Sequence, residues 1–373
     1  MKKQPAQKKY ASTQRFTEIT DIKENIVLFS QGYASLVIEV KATNFSLLSE
    51  EEQKSKMGSY ASLLNSLSFP IQILVENKKL DISSYLKLLE QASASSSNTK
   101  LSEHLASYQT FVAELVKKNV VLDKKFYIAI SYSSFEGTDA KTILSSKAES
   151  LHAQLKSMNL SAKTLSKDEL VSLFSQRYNG DSAHGNPGKD SPLDIIAPSS
   201  IEVDFSSIRV GERFYKTLFV VGYPRFVSPN WLSPLIDFDH SLDISFFIYP
   251  SSSSDTITTI RRKIGEMEAT LSSQEKEGQV PDAKTQAGLE DALTLQEELA
   301  KGTERFFQMG LYITIAADSQ AELNETSKRL HSTLSSILVT AKTATLQMEE
   351  GFKSTLPMGL DKLFIPRNMD TTS

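Results

Sequence analysis

Leu242-Asp243-Ile244-Ser245-Phe246-Phe247-Ile248-Tyr249 decides the fold, together with what stands on either side of it. Leu242, Ile244, Phe246 and Ile248 alternate with Asp243 and Ser245, the period of a strand with one apolar face. Downstream, Asp255 opens a long helix to about residue 277. Gly278-Gln279-Val280-Pro281-Asp282 turns the chain, and a second long helix spans about 283–301. A strand over 306–316, a helix over 319–337 and a terminal strand over 339–347 follow. Upstream, strands over 201–205 and 214–221 are joined through Arg209-Val210-Gly211-Glu212. Ser228-Pro229-Asn230-Trp231 starts a short helix, with Ser228 as cap and Pro229 in its first turn.

The first half runs through the same order. Strands over 25–29 and 33–40 flank Ser30-Gln31-Gly32, a hairpin signal with glycine where positive φ is needed. Ser49 and Glu52 make a capping box, and Met57, Tyr60, Ala61, Leu64 and Leu67 continue at helical spacing. Pro70 introduces a strand over 71–76. Asp81 caps a helix that dissolves in Ser93-Ala94-Ser95-Ser96-Ser97, and a second helix covers 101–118. A strand over 126–132 and helices over 139–158 and 167–176 complete the unit. Each half therefore reads hairpin, helix, strand, two helices, strand, helix.

The expected fold class is α+β: two related, mostly antiparallel sheet-plus-helix units, each with helices on one face, the second bearing a long antiparallel helical hairpin. The expected division is a disordered basic tail over 1–18, a first unit over 19–178, a linker or loop over 179–199, and a second unit over 200–373 with its hairpin at 255–301. The tail carries Lys2, Lys3, Lys8, Lys9 and Arg15, and no acid precedes Glu18. The linker is rich in Gly, Pro and polar residues, a composition that buries too little apolar surface to order itself.

Composition narrows the function. With 41 basic and 45 acidic side chains and a net charge of -4, the chain lacks the basic excess of a general nucleic-acid binder. No cysteine is present, so disulfides and thiolate metal sites are excluded. No apolar run approaches the roughly 18 residues of a membrane-spanning helix, and no apolar core of a signal peptide follows the basic start. These features point to a soluble, cytoplasmic protein.

No catalytic pattern emerges. A phosphate-binding loop needs glycine, four residues, then Gly-Lys-Ser/Thr. The nearest approach, Gly188-Lys189, has Ala183 in place of the first glycine and Asp190, an acid that repels phosphate, in place of the hydroxyl residue. His104, His152, His184, His240 and His331 are dispersed and form no metal-ligand pair. Asp237 and Asp239 flank Phe238 with nothing nearby to complete a site, as in a solvated turn. No catalytic residue, cofactor site or metal site is assigned.

The helical hairpin is the candidate partner surface. Ile257, Ile260, Ile264, Met267 and Leu271 on its first helix, and Leu289, Ala292, Leu293, Leu295 and Leu299 on its second, fall at three- and four-residue spacings between charged faces. The spacing suits a projecting, partner-binding arm and also suits two helices packed on their own sheet. Trp231 is either a core residue or an interface anchor. The interface candidates are Ile257, Ile260, Ile264, Met267, Leu289, Leu293, Leu299 and Trp231.

The chain resembles the N-terminal region of the TraC-like, CagE/TrbE-type secretion ATPases. The resemblance is carried by Val221-Gly222-Tyr223-Pro224-Arg225, Trp231-Leu232, Leu242-Asp243-Ile244-Ser245, Arg261-Arg262-Lys263-Ile264, and Ala300 through Phe307. It continues in Gly310-Leu311-Tyr312, Phe352 through Pro357 and Arg367 through Thr371. It is strongest from about Tyr215 onward, and Ile19-Thr20-Asp21-Ile22 before the first hairpin also fits. The resemblance implies a non-catalytic assembly and docking module, with no cofactor, for a RecA-like motor supplied in cis after residue 373 or in trans. It further implies small inner-membrane secretion subunits as partners, self-association, and a cytoplasmic place peripheral to the inner membrane face. The alternatives are an atypical nucleotide-binding enzyme, or a conjugation accessory protein that contacts DNA through the basic tail from Lys2 to Arg15 and the loop near Lys189.

Overall fold

The structure, a computed structural model, describes residues 13–79, 83–95, 99–118, 122–134, 139–180, 191–224, 227–251, 253–276, 278, 282–301 and 305–370. The first half contains α1 (Gln14–Thr17), β1 (Ile19–Lys23), β2 (Ile26–Phe29), β3 (Tyr33–Val40), α2 (Glu50–Ser66) and β4 (Ile71–Lys79). It continues with α3 (Ser83–Ser95), α4 (Thr99–Lys118), β5 (Leu122–Ser133), α5 (Ala140–Ser157), β6 (Ala162–Thr164) and α6 (Lys167–Asn179). After α7 (Pro192–Ile196), the second half contains β7 (Ile201–Val203), β8 (Ile208–Val210), β9 (Arg213–Gly222), α8 (Ser233–Ile236) and β10 (Leu242–Pro250). Then come α9 (Ser253–Lys276), α10 (Ala283–Lys301), β11 (Phe306–Ala317), α11 (Gln320–Ser336), β12 (Thr340–Thr343), α12 (Met348–Ser354) and β13 (Arg367–Asp370).

All described strands join one antiparallel sheet in the order β1-β2-β3-β5-β4-β10-β11-β9-β8-β7. Counted outward from the middle, β4-β5-β3-β2-β1 is matched by β10-β11-β9-β8-β7. The short strands match as well: β6 pairs with β3 as β12 pairs with β9. The chain is thus an internal repeat closed about an approximate two-fold axis. The axis crosses the antiparallel β4·β10 pair, where Leu74 faces Ser245 and Glu76 faces Asp243. The α+β class holds, and the two halves share one sheet.

Helices cover both faces of that sheet, which corrects the one-face expectation. On one face, Leu36, Ile38, Ile128 and Ile130 pack under α2 and α5, and Leu218, Leu242, Ile244 and Ile313 pack under α8 and α11. The other face carries Val37, Leu74, Tyr127, Phe247 and Tyr312, covered by Phe174 and Tyr178 of α6 and Met348 and Phe352 of α12. A strap after α12 adds Leu356, Met358 and Leu363 to this layer. At Gly359 (φ +65°) the strap runs so close to the sheet that a Cβ would lie 3.2 Å from the Cβ and backbone N of Ser131.

Local signals set the helix starts. Ser49 with Glu52 and Ser166 with Glu169 form capping boxes, and the Asp139 carboxylate accepts from the Thr142 amide. Four expectations are corrected. Residues 14–17 belong to the folded chain, because Phe16 stacks on Phe352 and meets Tyr178 edge-on; the lysines of the tail lie outside the described residues. The expected linker contains α7, whose Ile196 is buried and whose Ile195 carbonyl accepts from the Ser175 hydroxyl at 3.0 Å; its part over 181–190 lies outside the described residues. The short helix starts at Ser233-Pro234, because Asn230 turns left-handed (φ 66°) and breaks the run from Ser228. The expected terminal strand stops at Thr343, and α12 and β13 follow.

The repeat exposes one unfavourable residue. Helix α5 ends with Asn159 left-handed (φ 56°) and the Leu160 amide donating to the Leu155 carbonyl. Helix α11 ends in the same way, with Leu338 at φ 58° and the Val339 amide donating to the Leu334 carbonyl. Glycine and asparagine suit that position; leucine does not. Leu338 is also 73% exposed, so little packing is lost by changing it. Leu338→Asn is expected to stabilise the protein by about 0.5–1 kcal/mol, read as a higher urea midpoint.

The β4·β10 seam holds a buried ion cluster. Arg177, in the last turn of α6, pairs with Asp243 and lies 3.3 Å from Glu76, while Lys78 also pairs with Glu76. Burial raises both acids, but Arg177 and Lys78 outweigh it at Glu76 and hold that carboxyl below its usual range. At Asp243 burial wins over Arg177, and the carboxyl sits above its usual range. Burial opposes the charge on Arg177, and the two carboxylates more than offset it.

Candidate docking surfaces

The two helical hairpins occupy equivalent points of the repeat, α3/α4 between β4 and β5 and α9/α10 between β10 and β11. Because β4 and β10 are antiparallel, with Asn77 opposite Leu242, the hairpins leave from opposite ends of the sheet.

The α9/α10 hairpin has a core of its own. Ile260, Ile264 and Leu299 are buried against one another, with Ile257, Leu289, Ala292 and Leu295 packed around them, and among the described residues no strand residue joins the cluster. The seam is therefore filled by the partner helix of the same hairpin, the arrangement of a two-stranded arm. At its base the Ser251 amide donates to the Phe306 carbonyl at 3.0 Å. There Arg305 Nη1 also donates to the Asn65 carbonyl in the last turn of α2, at 2.6 Å, where a cation meets the negative helix end. The arm's exposed surface is charged: Arg261, Arg262 and Lys263 on α9, Glu290, Asp291 and Glu297 on α10.

Of the candidate interface residues, Ile257, Ile260, Ile264, Leu289 and Leu299 build this arm rather than face outward. Met267 is half-buried, and Leu293 is exposed. Trp231 is elsewhere: it packs on the sheet cluster around Leu218 and Ile313, within a loop that ties the halves together. Asn77 of β4 donates to the Ile236 carbonyl of that loop at 2.7 Å, and Lys124 of β5 pairs with its Asp237. Helical spacing marks a seam but does not say what fills it.

The sequence reading overlooked the first hairpin. Leu88 of α3 and Leu101, Tyr108 and Phe111 of α4 are large apolar residues exposed on one hairpin, against Leu293 alone on α9/α10 among the described residues. The seven-residue step from Leu101 to Tyr108, followed by Phe111, was the available signal.

Among the described residues, no group of three or more His, Asp or Glu is placed to hold a metal ion. His152 bonds Thr164, and His240 sits beside Asp239, whose carboxylate takes two bonds from Arg329 at 2.7 and 2.6 Å. Asp237 and Asp239, expected in a solvated turn, are thus each ion-paired. His184 and Gly188-Lys189 lie outside the described residues. No helix among the described residues is long and apolar enough to cross a membrane.

A family model described as the archaeal TraC-like domain matches residues 22–180. No curated protein is similar enough to the chain to count as a match. The matched stretch coincides with the first repeat, from β1 to the end of α6, whereas the motifs that suggested the resemblance concentrate in the second. Residues 22–180 are thus similar to the archaeal TraC-like domain, and this stretch is the first of the two repeats that make the sheet.

Proposed function

We propose that this protein is a non-catalytic assembly and docking module of a conjugative-transfer, or type IV secretion, ATPase. It links a RecA-like motor, in cis or in trans, to small inner-membrane subunits of the channel. The TraC-like domain supports the general setting. The observation that carries the finer reading is the α9/α10 hairpin, a two-helix arm whose core is independent of the sheet it stands on. A rigid sheet clamped on both faces supplies the platform, and the arm supplies a surface free to engage a partner.

The arm can be removed cleanly because Ser251 and Phe306 are already hydrogen-bonded neighbours. Replacing residues 253–304 with a short Gly-Ser turn is expected to leave the body's unfolding free energy within about 1 kcal/mol of the parent, since the described core of the arm contains no residue of the sheet. Capture of the inner-membrane channel subunits should fall at least tenfold. Undiminished capture by a folded, arm-less protein would refute the arm's role.

A further inference from the structure

Strand β13 grips the root of one helical hairpin, and the other hairpin has no such grip. β13 pairs with residues 306–309, the first strand residues after α10, and it has no counterpart among the described strands of the first repeat. There, residues 122–125 of β5 pair with β4 alone, and β3 joins only from Phe126. The second root strand of α9/α10 is held as well. Tyr249, near the end of β10, donates to the Asp361 carboxylate at 3.1 Å and meets the ring of Phe364 edge-on at 5.6 Å. Tyr312 of β11 donates to the same carboxylate at 2.8 Å and accepts from the Ile365 amide at 2.9 Å. Residues 361–370 therefore bridge the two strands that carry the α9/α10 arm.

The strap has an anchored part and a lightly held part. Its inner part is buried: Thr355, Leu356, Met358 and Leu363 lie in the core, and Gln72 bonds its backbone at Leu356 and Gly359. Its outer part is not. Phe364, Arg367 and Asn368 are exposed, and Ile365, Pro366 and Met369 are half-buried. Phe364 is also left-handed at φ 47°, an unfavourable state for a bulky residue, and is 61% exposed. The Asp361 carboxylate collects bonds from Tyr249, Tyr312 and, at 2.7 Å, the Phe364 amide, yet burial still pushes its carboxyl above the usual range. A segment with few buried apolar contacts and exposed backbone hydrogen bonds opens locally before the rest of a fold.

We propose that residues 364–370 are a latch that fixes the angle of the α9/α10 arm on the sheet and opens while the rest of the protein stays folded. Closed, β13 braces the stretch of β11 that β9 leaves unpaired, since β9 reaches only to Tyr312. Open, the arm stands on the β10·β11 pair alone, as α3/α4 stands on β4·β5. The arm has its own core, so opening changes its direction and not its fold. The latch sets that direction whatever the arm binds, so it stands or falls separately from the docking role proposed above.

The chain has no cysteine, so introduced cysteines carry spin labels at chosen sites alone. Leu293→Cys on the arm with Leu338→Cys on the body reports the arm. Phe111→Cys on α4 with Leu47→Cys on the body reports the other hairpin as a control. All four positions are exposed. Double electron–electron resonance on the full chain should give a narrow arm distance in the parent. Asn368→Pro combined with Met369→Pro removes whichever of these neighbouring amides donates to β11. It should at least double the width of the arm distribution, with the control distance and circular dichroism unchanged. Asp361→Ala, which takes the acceptor from both tyrosines, should widen the arm distribution too. A folded variant of either kind that keeps the narrow distribution overturns the proposal, as does a parent in which the arm distance is already broad. Equal broadening of both pairs would mean that the whole sheet has loosened, and would overturn it as well.

Discussion

Arg177→Met is expected to cost about 3–5 kcal/mol, the cost of leaving buried charge unpaired. Arg177 is 4% exposed and stands between Glu76 of β4 and Asp243 of β10. Those two acids face each other in the register of the central pair. Without the guanidinium, two like charges meet in the core, and Lys78 can compensate only one of them. The effect has a pH signature. In the parent, Glu76 is held low and contributes stability above the ordinary glutamate value, about 4.3, while Asp243 is held high and loses stability as pH rises past about 3.9. In the variant both acids are raised by burial and mutual repulsion, so its deficit grows as pH rises above about 4 and shrinks below it. Urea midpoints at pH 7 and near pH 4 measure both effects. Asp243→Asn in the variant background should recover part of the loss at pH 7. A deficit under 1 kcal/mol that is flat with pH would show that the cluster does not hold the seam.

Phe352→Ala should cost a similar amount, about 3–5 kcal/mol for a buried aromatic. Phe352 is 2% exposed, with ring centroids 4.9 Å from Tyr215, 6.0 Å from Tyr178 and 6.4 Å from Phe16. These rings belong to β9, α6 and α1, so one side chain of the second repeat packs on elements of both. Lys353 next to it reaches Glu18 at 2.8 Å and Glu349 at 2.6 Å. Burial disfavours the Glu18 charge, but Lys353 and Lys362 outweigh it and hold the carboxyl below its usual range. Because the clamp spans both repeats, the variant should unfold in one step at lower urea. The fluorescence of Trp231, in the second repeat, should coincide with far-UV circular dichroism from the whole chain. A two-step transition in which Trp231 alone shifts would mean that the repeats are energetically separate.

The repeated order of elements was legible because it rests on local patterns: alternation, capping boxes at Ser49 and Ser166, and the paired helices after β4 and β10. The joining of the halves was not, because alternation shows that a strand has two faces but not which strand lies beside it. The second covered face was concealed by its chemistry. Gln72, Ser245, Thr217 and Thr314 read as the solvent side of their strands, yet all are buried. The strap satisfies them instead. Gln72 donates to Ser245 Oγ and the Leu356 carbonyl, each at 2.8 Å, and accepts from the Gly359 amide at 2.7 Å. Thr355 donates to Thr314 at 2.8 Å, and Thr314 in turn bonds Thr217 at 2.7 Å. A buried polar face lined by hydrogen bonds has the same sequence pattern as an exposed one. At the candidate surfaces the seam of α9/α10 was visible and its occupant was not, since only the structure shows that each helix fills the other's groove.

The docking role is tested most directly by co-purification: the full chain is expressed with the products of the genes beside its own, and what is retained on it is identified. The account predicts recovery of a Walker-motif ATPase and of a small inner-membrane protein, with the membrane protein lost when residues 253–304 are replaced by a turn. Recovery of neither, from a folded chain that binds ATP or DNA alone, would contradict it.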